Sequence, residues 1–543
     1  MTLPACAEEY IKQIIKKMRY RRKVRQDVQE ELTAHFEDEL KDCATDEEKE
    51  QKAKELIAEF GDVKLLAVLL RRAKKRCRPL WRTAVVRSFQ GLGIIILYFI
   101  ICFVPLLVGR PTISVNYVDW LNELVKGERN EVDNARPFYE KAIKLYVKNP
   151  QDWLYGSGKV WSADLNDVEI GIQSDWLEDN QGALEALREG SLRSDFWNEY
   201  QINETELSKN HLKGALMASN LAANAMEILP SYRHLAFAMG WQIRCEADNG
   251  DIGTALSDCV ALTKFGGHLQ GHGLMIEQLV GIAIEGIANS TTFMLLDSID
   301  VPADVLKNAQ EELDRQFGRQ EPVISMEAVK VFWYDQIQRT FTDDGQGGGR
   351  MLARGMAYVV TDDWKENLWR FVSFNYPDRQ EIVANIDKYF GLFAEILTAT
   401  PWDLRDETLD EQVWNEVNIT PLMLKIQIPA HERVGQIAWR MKSGREALLT
   451  VLAVMRYENE KGGYPAGLDE LVEAGYLKKL PMDPYSDGLL VYRRTEGGFL
   501  LYSLGTNLTD EGGELGLRGG KRRMWSDDGD WVFWPVARSQ VKQ

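Results

Sequence analysis

The sequence predicts a mainly α-helical membrane protein. We expect a cytoplasmic helical bundle, one transmembrane helix, and a large α-helical extracytoplasmic domain that ends in a small α+β domain. Three observations lead to this prediction. Residues 88 to 109 carry no charge over 22 positions, apolar residues recur every three or four positions through most of the chain, and two alternating apolar runs stand at residues 489–495 and 498–504. A helix of 22 residues is about 33 Å long, enough to cross the hydrocarbon core of a bilayer.

The uncharged stretch, residues 88 to 109, is interpreted as a transmembrane anchor that stays attached to the protein. The alternative is a buried core helix, but soluble helices of this length rarely lack a charged or strongly polar residue on the side that faces water. A cleavable signal peptide is excluded because such peptides lie at the N-terminus, whereas 87 residues precede this stretch. The sequence therefore predicts a single-pass membrane protein.

The charge distribution predicts the orientation of this anchor. Residues 1 to 87 hold 21 Lys plus Arg and 16 Asp plus Glu, so the totals of 65 and 82 leave 44 and 66 for residues 88 to 543. The net charge of −17 thus divides into +5 before the anchor and −22 from the anchor onward. Because Lys and Arg concentrate on the cytoplasmic flank of membrane helices, we expect a cytoplasmic N-terminus and an extracytoplasmic C-terminal domain, in the inner (cytoplasmic) membrane of a bacterium.

The strongest basic run lies directly beside the anchor. It holds nine basic residues and no acidic one between Lys64 and Arg87. Its position against the membrane favours binding to anionic lipid headgroups, and we expect no nucleic-acid partner. The nine residues are Lys64, Arg71, Arg72, Lys74, Lys75, Arg76, Arg78, Arg82 and Arg87.

Residues 1 to 80 are predicted to form a cytoplasmic bundle of short amphipathic helices, in which Gly61 ends one helix and Asp62 caps the next. Residues 24 to 75 resemble the HAAS signalling domain, also called the permease prefix domain. The resemblance implies a cytoplasmic module that relays signals or binds regulators. The residues that carry it are Glu30, Glu31, Leu32, His35, Glu39, Phe60, Gly61 and Asp62.

Residues 110 to 440 are predicted to form a mainly helical extracytoplasmic domain. Residues 231–248 and 252–265 fit a helical pair around an Asn-Gly-Asp turn. Residues 273–299 are apolar enough to suggest a second span, but Glu277 and Glu285 interrupt them, so we predict a core helix. Of the six cysteines, only Cys245 and Cys259 follow the anchor, and two separate thiols are expected rather than a disulfide.

One histidine pair in this region has the spacing of metal ligands. His268 and His272 are four positions apart, which would place both imidazoles on one face of a helix. Leu269 stands where a zinc protease has its glutamate base. A polar helix start is therefore the favoured interpretation, with a metal site as the alternative. Abundant carboxylates leave a glycosidase-like pair open as well.

Residues 441 to 543 are predicted to form the α+β domain. A helix over residues 445–460 is followed by Tyr-Pro, a short helix and a β-hairpin around Glu496, Gly497 and Gly498. This order resembles the globular part of type II secretion major pseudopilins. No leader or N-terminal filament helix precedes the module, which argues against polymerisation into a pilus. The resemblance rests on Tyr464, Pro465, Leu468, Leu471, Leu480, Pro481, Asp483, Pro484, Tyr492, Tyr502, Ser503, Gly505, Asn507, Asp510, Gly512 and Gly513.

The resemblance also implies a calcium-binding loop after the hairpin. Calcium favours six to eight oxygen ligands, and the loop offers such oxygens. Basic residues inserted at 518 to 523 oppose a bound cation, so a solvated acidic turn is the alternative. The candidate ligands are Asn507, Asp510, Glu511, Asp527, Asp528 and Asp530.

Two interaction-type modules flank one anchor, and no catalytic constellation is visible. We therefore expect a membrane-anchored, non-enzymatic signalling or assembly component of the bacterial cell envelope that binds protein partners. The alternatives are an anchored envelope hydrolase with an unrecognised active site and an accessory component of a secretion system. A pocket with two carboxylates of perturbed pKa would favour the hydrolase.

Overall fold

The computed structural model describes residues 3–76, 80–148, 160–161, 167–201, 221–319, 321–352, 365, 378–406, 422–518, 521–522 and 524–536. The chain divides into two compact units, Met1–Val104 and Pro105–Gln543. Helices dominate the described residues of both, so the predicted mainly α class is confirmed. Within these ranges, two helices are long and apolar enough to cross a membrane, over Ala84–Cys102 and Met275–Ser298.

The first unit begins with four short helices whose ends follow the local sequence. Thr45 and Glu48 form a reciprocal capping box at the start of the third helix. Gly61 ends that helix with a φ of 77°, and Asp62 Oδ1 accepts the N–H groups of Lys64 and Leu65 at 2.8 and 2.9 Å. The predicted stop and restart are confirmed. The four helices are α1 (Ala5–Lys17), α2 (Arg22–Glu39), α3 (Asp46–Phe60) and α4 (Val63–Arg76).

A fifth helix, α5 (Leu80–Val108), contains the uncharged stretch. Its apolar segment Ala84–Cys102 has a mean hydropathy of 2.0, and 0% of it is buried within the protein. Ile94 and Ile101, for example, are 69% and 62% exposed. The exposed side of a water-facing helix normally carries polar residues, whereas this segment has no charged residue after Arg87.

The second unit is helical up to residue 473 in its described part. Asn116, Asp251 and Asp378 cap three of its helices through side-chain oxygens. The helices are α6 (Tyr117–Lys126), α7 (Arg136–Leu145), α8 (Asp167–Asp179), α9 (Gln181–Ser191), α10 (Leu221–Asp248), α11 (Ile252–His268), α12 (Met275–Ser298), α13 (Ala303–Arg319), α14 (Glu327–Thr340), α15 (Arg379–Thr398), α16 (Leu422–Lys461) and α17 (Leu468–Glu473), with a 3₁₀ turn at Glu131–Asp133.

Helix α12 lies in the core of this unit, as predicted, with 67% of its apolar window buried. It crosses α11 at two glycines: a Cβ atom on Gly266 would lie 2.8 Å from the Gly281 carbonyl oxygen, and one on Gly281 would lie 2.6 Å from the Gly266 carbonyl oxygen. Only glycine permits backbones to approach this closely. The predicted pair around the Asn-Gly-Asp turn is confirmed as α10 and α11, and both Cys245 and Cys259 carry free thiols.

The C-terminal part contains a three-stranded antiparallel sheet of order β1-β2-β5 and a two-stranded β3-β4 ribbon. The predicted hairpin is confirmed, with Val491 opposite Tyr502 and Thr495 opposite Gly498. Buried Phe499, Leu501, Trp531 and Phe533 join the core that also holds α10, α11 and α12. The strands are β1 (Val491–Thr495), β2 (Gly498–Ser503), β3 (Leu517–Arg518), β4 (Lys521–Arg522) and β5 (Trp531–Trp534).

Helix α16 links this sheet to the rest of the unit. It has 40 residues, and the predicted domain boundary at residue 441 lies inside it. The Arg445 side chain is 4% exposed and forms a bidentate pair with Glu285 of α12 at 2.7 and 2.8 Å. Gln270, after α11, accepts a further hydrogen bond from Arg445 at 2.8 Å and donates one to Glu285 at 2.7 Å. Arg445 thus joins α16 to two segments that lie 160 and 175 positions earlier in the chain.

We expect Arg445→Met to destabilise the second unit by roughly 3–5 kcal/mol, because the Glu285 carboxylate would be left buried without its partner. The double variant Arg445→Met/Glu285→Gln removes both charges and should recover part of that loss. Urea unfolding of the purified chain in detergent measures both. A double variant at least as unstable as Arg445→Met would contradict the assigned pairing.

Candidate functional site

A surface pocket of about 450 Å³ lies between helix α6 and residues 197–201. Helix α6 is held by its inner side, where Val118, Leu121 and Val125 are buried. Its polar side faces the pocket. The polar lining includes Asp119, Asn122, Glu123, Lys126, Asn198 and Glu199.

Asparagine side chains fix the opposite wall of the pocket. Asn122 donates to the Tyr200 carbonyl oxygen at 3.0 Å and accepts the Tyr200 N–H at 2.7 Å. Asn134 makes the same pair of contacts with Trp197, both at 3.3 Å. A side-chain amide carries the donor and acceptor that a neighbouring strand would offer. The backbone N–H and carbonyl groups of Trp197 and Tyr200 are therefore hydrogen-bonded, although neither residue belongs to a β-sheet.

Glu277 lies behind this wall and is 2% exposed. Its carboxylate accepts hydrogen bonds from the Tyr200 hydroxyl and the Asn198 side chain, both of which line the pocket. It also accepts the Leu274 N–H at 2.8 Å, at the first turn of α12. Burial raises the pKa of Glu277, and the three hydrogen bonds oppose that rise. Glu277 thus joins the pocket wall to the core helix.

The electrostatic character of the pocket is acidic. Asp119, Glu123 and Glu199 line it together with a single described cation, Lys126. The Lys126 ammonium is already paired with Glu131 at 2.5 Å. Glu123 is exposed, and the Glu199 side chain is 61% exposed although Arg136 lies 3.7 Å from its carboxylate. A ligand or side chain with a positive charge would therefore be attracted to this pocket.

The structure contradicts the expected start of a helix at the two histidines. Helix α11 ends at His268, and His272 lies in the loop after it, because Gly271 and Gly273 adopt positive φ angles of 74° and 77°. His268 accepts from the Tyr139 hydroxyl at 2.6 Å and donates to the Arg193 carbonyl oxygen at 3.2 Å. Burial lowers the pKa of both imidazoles to about 4. They are neutral structural residues at neutral pH.

The candidate calcium ligands are only partly brought together. Asp510 Oδ1 accepts from the Tyr502 hydroxyl and the Gly512 N–H, each at 2.8 Å. Asn507 donates to Glu511 at 2.7 Å, Asp528 accepts the Leu517 N–H at 3.0 Å, and Asp527 is exposed. Among the residues that the structure describes, no three His, Cys, Asp or Glu side chains form a group that could hold a metal.

Asp530 is the one candidate ligand whose environment suggests a cation. It is 0% exposed, its Oδ2 accepts the Gly513 N–H at 2.7 Å, and its buried Oδ1 has no hydrogen-bond partner among the described residues. Burial raises the pKa of Asp530 to about 6; the Gly513 and Glu511 amides oppose this rise, and the charges of Glu511 and Asp510 add to it. A bound cation would satisfy the orphaned oxygen.

No family model, curated protein or solved structure matches the chain. The pocket residues escape sequence reasoning because their partners are far apart in the chain: 78 positions separate Asn122 from Tyr200, and 77 separate Tyr200 from Glu277. The sequence contains one relevant signal, the charge of Glu277 within an apolar helix. This signal indicates that Glu277 is buried, but it does not identify the partners of Glu277.

Proposed function

We propose that this chain is a membrane-anchored, non-enzymatic signalling or assembly component of the bacterial cell envelope that binds protein partners. In this proposal α5 is the single anchor, the first unit is cytoplasmic and the second unit is extracytoplasmic. The observation that supports it is the apolar segment Ala84–Cys102, which has a mean hydropathy of 2.0 and is 0% buried among the described residues. The bilayer is the environment that suits such a surface.

Helix α4 supports the cytoplasmic side of this proposal and its anionic-lipid partner. Leu65 and Leu69 are 62% and 51% exposed, and they are followed by exposed Arg71, Arg72 and Lys75. Apolar residues beside a basic run characterise helices that lie on anionic membrane surfaces. Only three residues separate the end of α4 from the start of α5.

The acidic pocket supports binding of a protein partner through a basic side chain. Glu277, the carboxylate of raised pKa beside it, is buried and holds three donors, which suits a wall-forming residue better than a general acid that must reach a substrate. The anchored hydrolase, which would need a second such carboxylate at the pocket, and the accessory secretion component are the less favoured proposals.

Anchoring is tested by charge placed in the middle of α5. Wild-type protein should stay in the membrane pellet after alkaline carbonate extraction. Ile96→Arg/Ile100→Arg should be released or fail to insert, because each arginine costs roughly 2.5–3.5 kcal/mol at the centre of a span. Val132→Arg/Leu192→Arg, at two exposed positions of the second unit, is the matched control and should remain in the pellet. Release of the wild type would refute the anchor.

Partner binding is tested by a photo-crosslinking amino acid at Glu123, with Leu192 as the control position on the same unit. We expect a discrete protein adduct at 123 in intact cells and none at 192. Glu199→Lys should weaken the adduct several-fold by reversing a charge in the pocket, whereas Glu178→Lys on α8 should not. Equal labelling at both positions, or an adduct indifferent to Glu199→Lys, would count against this use of the pocket.

Calcium at Asp530 is the remaining part of the proposal. The raised pKa of Asp530 means that its charged form is penalised in the folded state, so with a chelator present the stability of the wild type should fall as pH rises from about 4 to above 6. Asp530→Asn should show a smaller fall, because buried Glu246, whose pKa is raised to about 7, still contributes over this range. Millimolar calcium at pH 8 should raise the Tm of the wild type and not of Asp530→Asn. Identical calcium responses would argue for the solvated acidic turn.

A further inference from the structure

The second unit exposes a cluster of aromatic and aliphatic side chains next to its N-terminal end. We call Tyr117, Trp120 and Leu124 of α6, together with Tyr334 of α14, the α6 apolar face. The Trp120 ring stacks on Tyr117 and Tyr334, with centroid separations of 5.5 and 6.2 Å. Trp120 is nevertheless 43% exposed, and Leu124 is 39% exposed. The Trp120 ring is thus held in place by two partly buried tyrosines but remains exposed.

This face is separate from the two other sides of α6. Residues at spacings of three and four share one side of a helix, and Tyr117, Trp120 and Leu124 follow that spacing. Val118, Leu121 and Val125 form the buried side, and Asp119, Asn122, Glu123 and Lys126 line the pocket. Tyr117 and Tyr334 are partly buried against the core, whereas Trp120 and Leu124 stay exposed and line neither the core nor the pocket.

A short linker, residues 109 to 113, limits the distance between α5 and this face; we call it the tether. The chain is fixed to the second unit at Val115, whose N–H and carbonyl oxygen both bond to the buried Gln338 side chain, at 3.4 and 2.9 Å. Ser114 also bonds to Asp343 at 3.4 Å. Helix α5 ends at Val108, so residues 109 to 113 alone remain. Five residues reach at most about 18 Å.

We propose that the α6 apolar face lies in the phospholipid headgroup zone of the outer leaflet of the membrane that α5 crosses. This inference rests on the proposed anchor, since the tether restricts the face only if α5 spans the bilayer. Trp and Tyr concentrate at this depth of a membrane because their rings are apolar and their N–H or O–H groups are polar.

Zwitterionic lipid is sufficient for this contact. A basic side chain beside the face, that of Lys330, lies 5.7 Å from the Tyr334 ring centroid and is paired with Asp387 at 2.9 Å. Its charge is thus already matched within the protein. The contact should persist without anionic lipid and at high ionic strength, unlike the contact assigned to helix α4.

The test uses the full chain, free of its native cysteines, in phosphatidylcholine vesicles. An environment-sensitive fluorophore is attached at Leu124→Cys on the face and, as a control, at Met482→Cys, which is 53% exposed. Position 482 belongs to the C-terminal part, whose Phe533 stacks on Phe293. Phe293 lies near the C-terminal end of α12, whereas Leu274, which packs with α6, lies at its N-terminal end. Helix α12 is about 36 Å long, so these two contacts are far apart.

The expected result is a blue-shifted emission at position 124 and several-fold stronger quenching by headgroup spin-labelled lipid than at position 482. Trp120→Ser should reduce the quenching at 124, with an unchanged Tm showing that the fold is intact. Equal quenching at both positions in carbonate-resistant vesicles would overturn the docking while leaving the anchor in place. Release by carbonate would remove both. Disulfide formation between two 124 cysteines in separate copies would identify a homodimer contact and also overturn it.

Discussion

The guanidinium of Arg445 is the point on which the second unit depends. It is buried with Glu285 and Gln270, so that α16, α12 and the loop after α11 are connected through charged and polar groups that water does not reach. A buried charge is tolerated only where its partner is held in place. Helix α16 also packs against the C-terminal sheet, so fixing Arg445 positions that sheet as well.

The hydrogen bonds and ion pair of Glu277 and Glu285 explain why α12 is largely buried, whereas the apolar segment of α5 is exposed although both helices are apolar. Helix α12 carries Glu285 toward Arg445 and Glu277 toward the pocket wall, and the unit closes around it. Helix α5 carries no charge beyond residue 87, and 0% of its apolar segment is buried among the residues that the structure describes. Both pass a test of length and hydropathy. The placement of charge within each helix separates a core helix from a proposed membrane anchor.

Local sequence signals predicted several helix ends and turns correctly, but they could not predict contacts between residues that are far apart in the chain. Gly61 with Asp62 and the β1-β2 turn depend on backbone conformations that a few residues dictate. The histidine loop was misplaced because periodicity does not show that Gly271 and Gly273 reverse the chain. The acidic ligand set was inferred as one group, whereas packing brings Asp530 near Asp510 and Glu511 and gives Asp528 a separate partner. The pocket depends on pairs such as Asn122 and Tyr200, which no spacing reveals.

The central claim is that α5 divides the protein between two compartments. Its most direct test labels single cysteines with a membrane-impermeant maleimide in spheroplasts. One variant retains only Cys43, in the loop between α2 and α3, and the other carries only Leu192→Cys on the second unit. We predict labelling of position 192 in intact spheroplasts, and labelling of Cys43 only after the membrane is permeabilised. Labelling of Cys43 with protection of position 192 would contradict the orientation, and equal labelling of both would contradict the anchor.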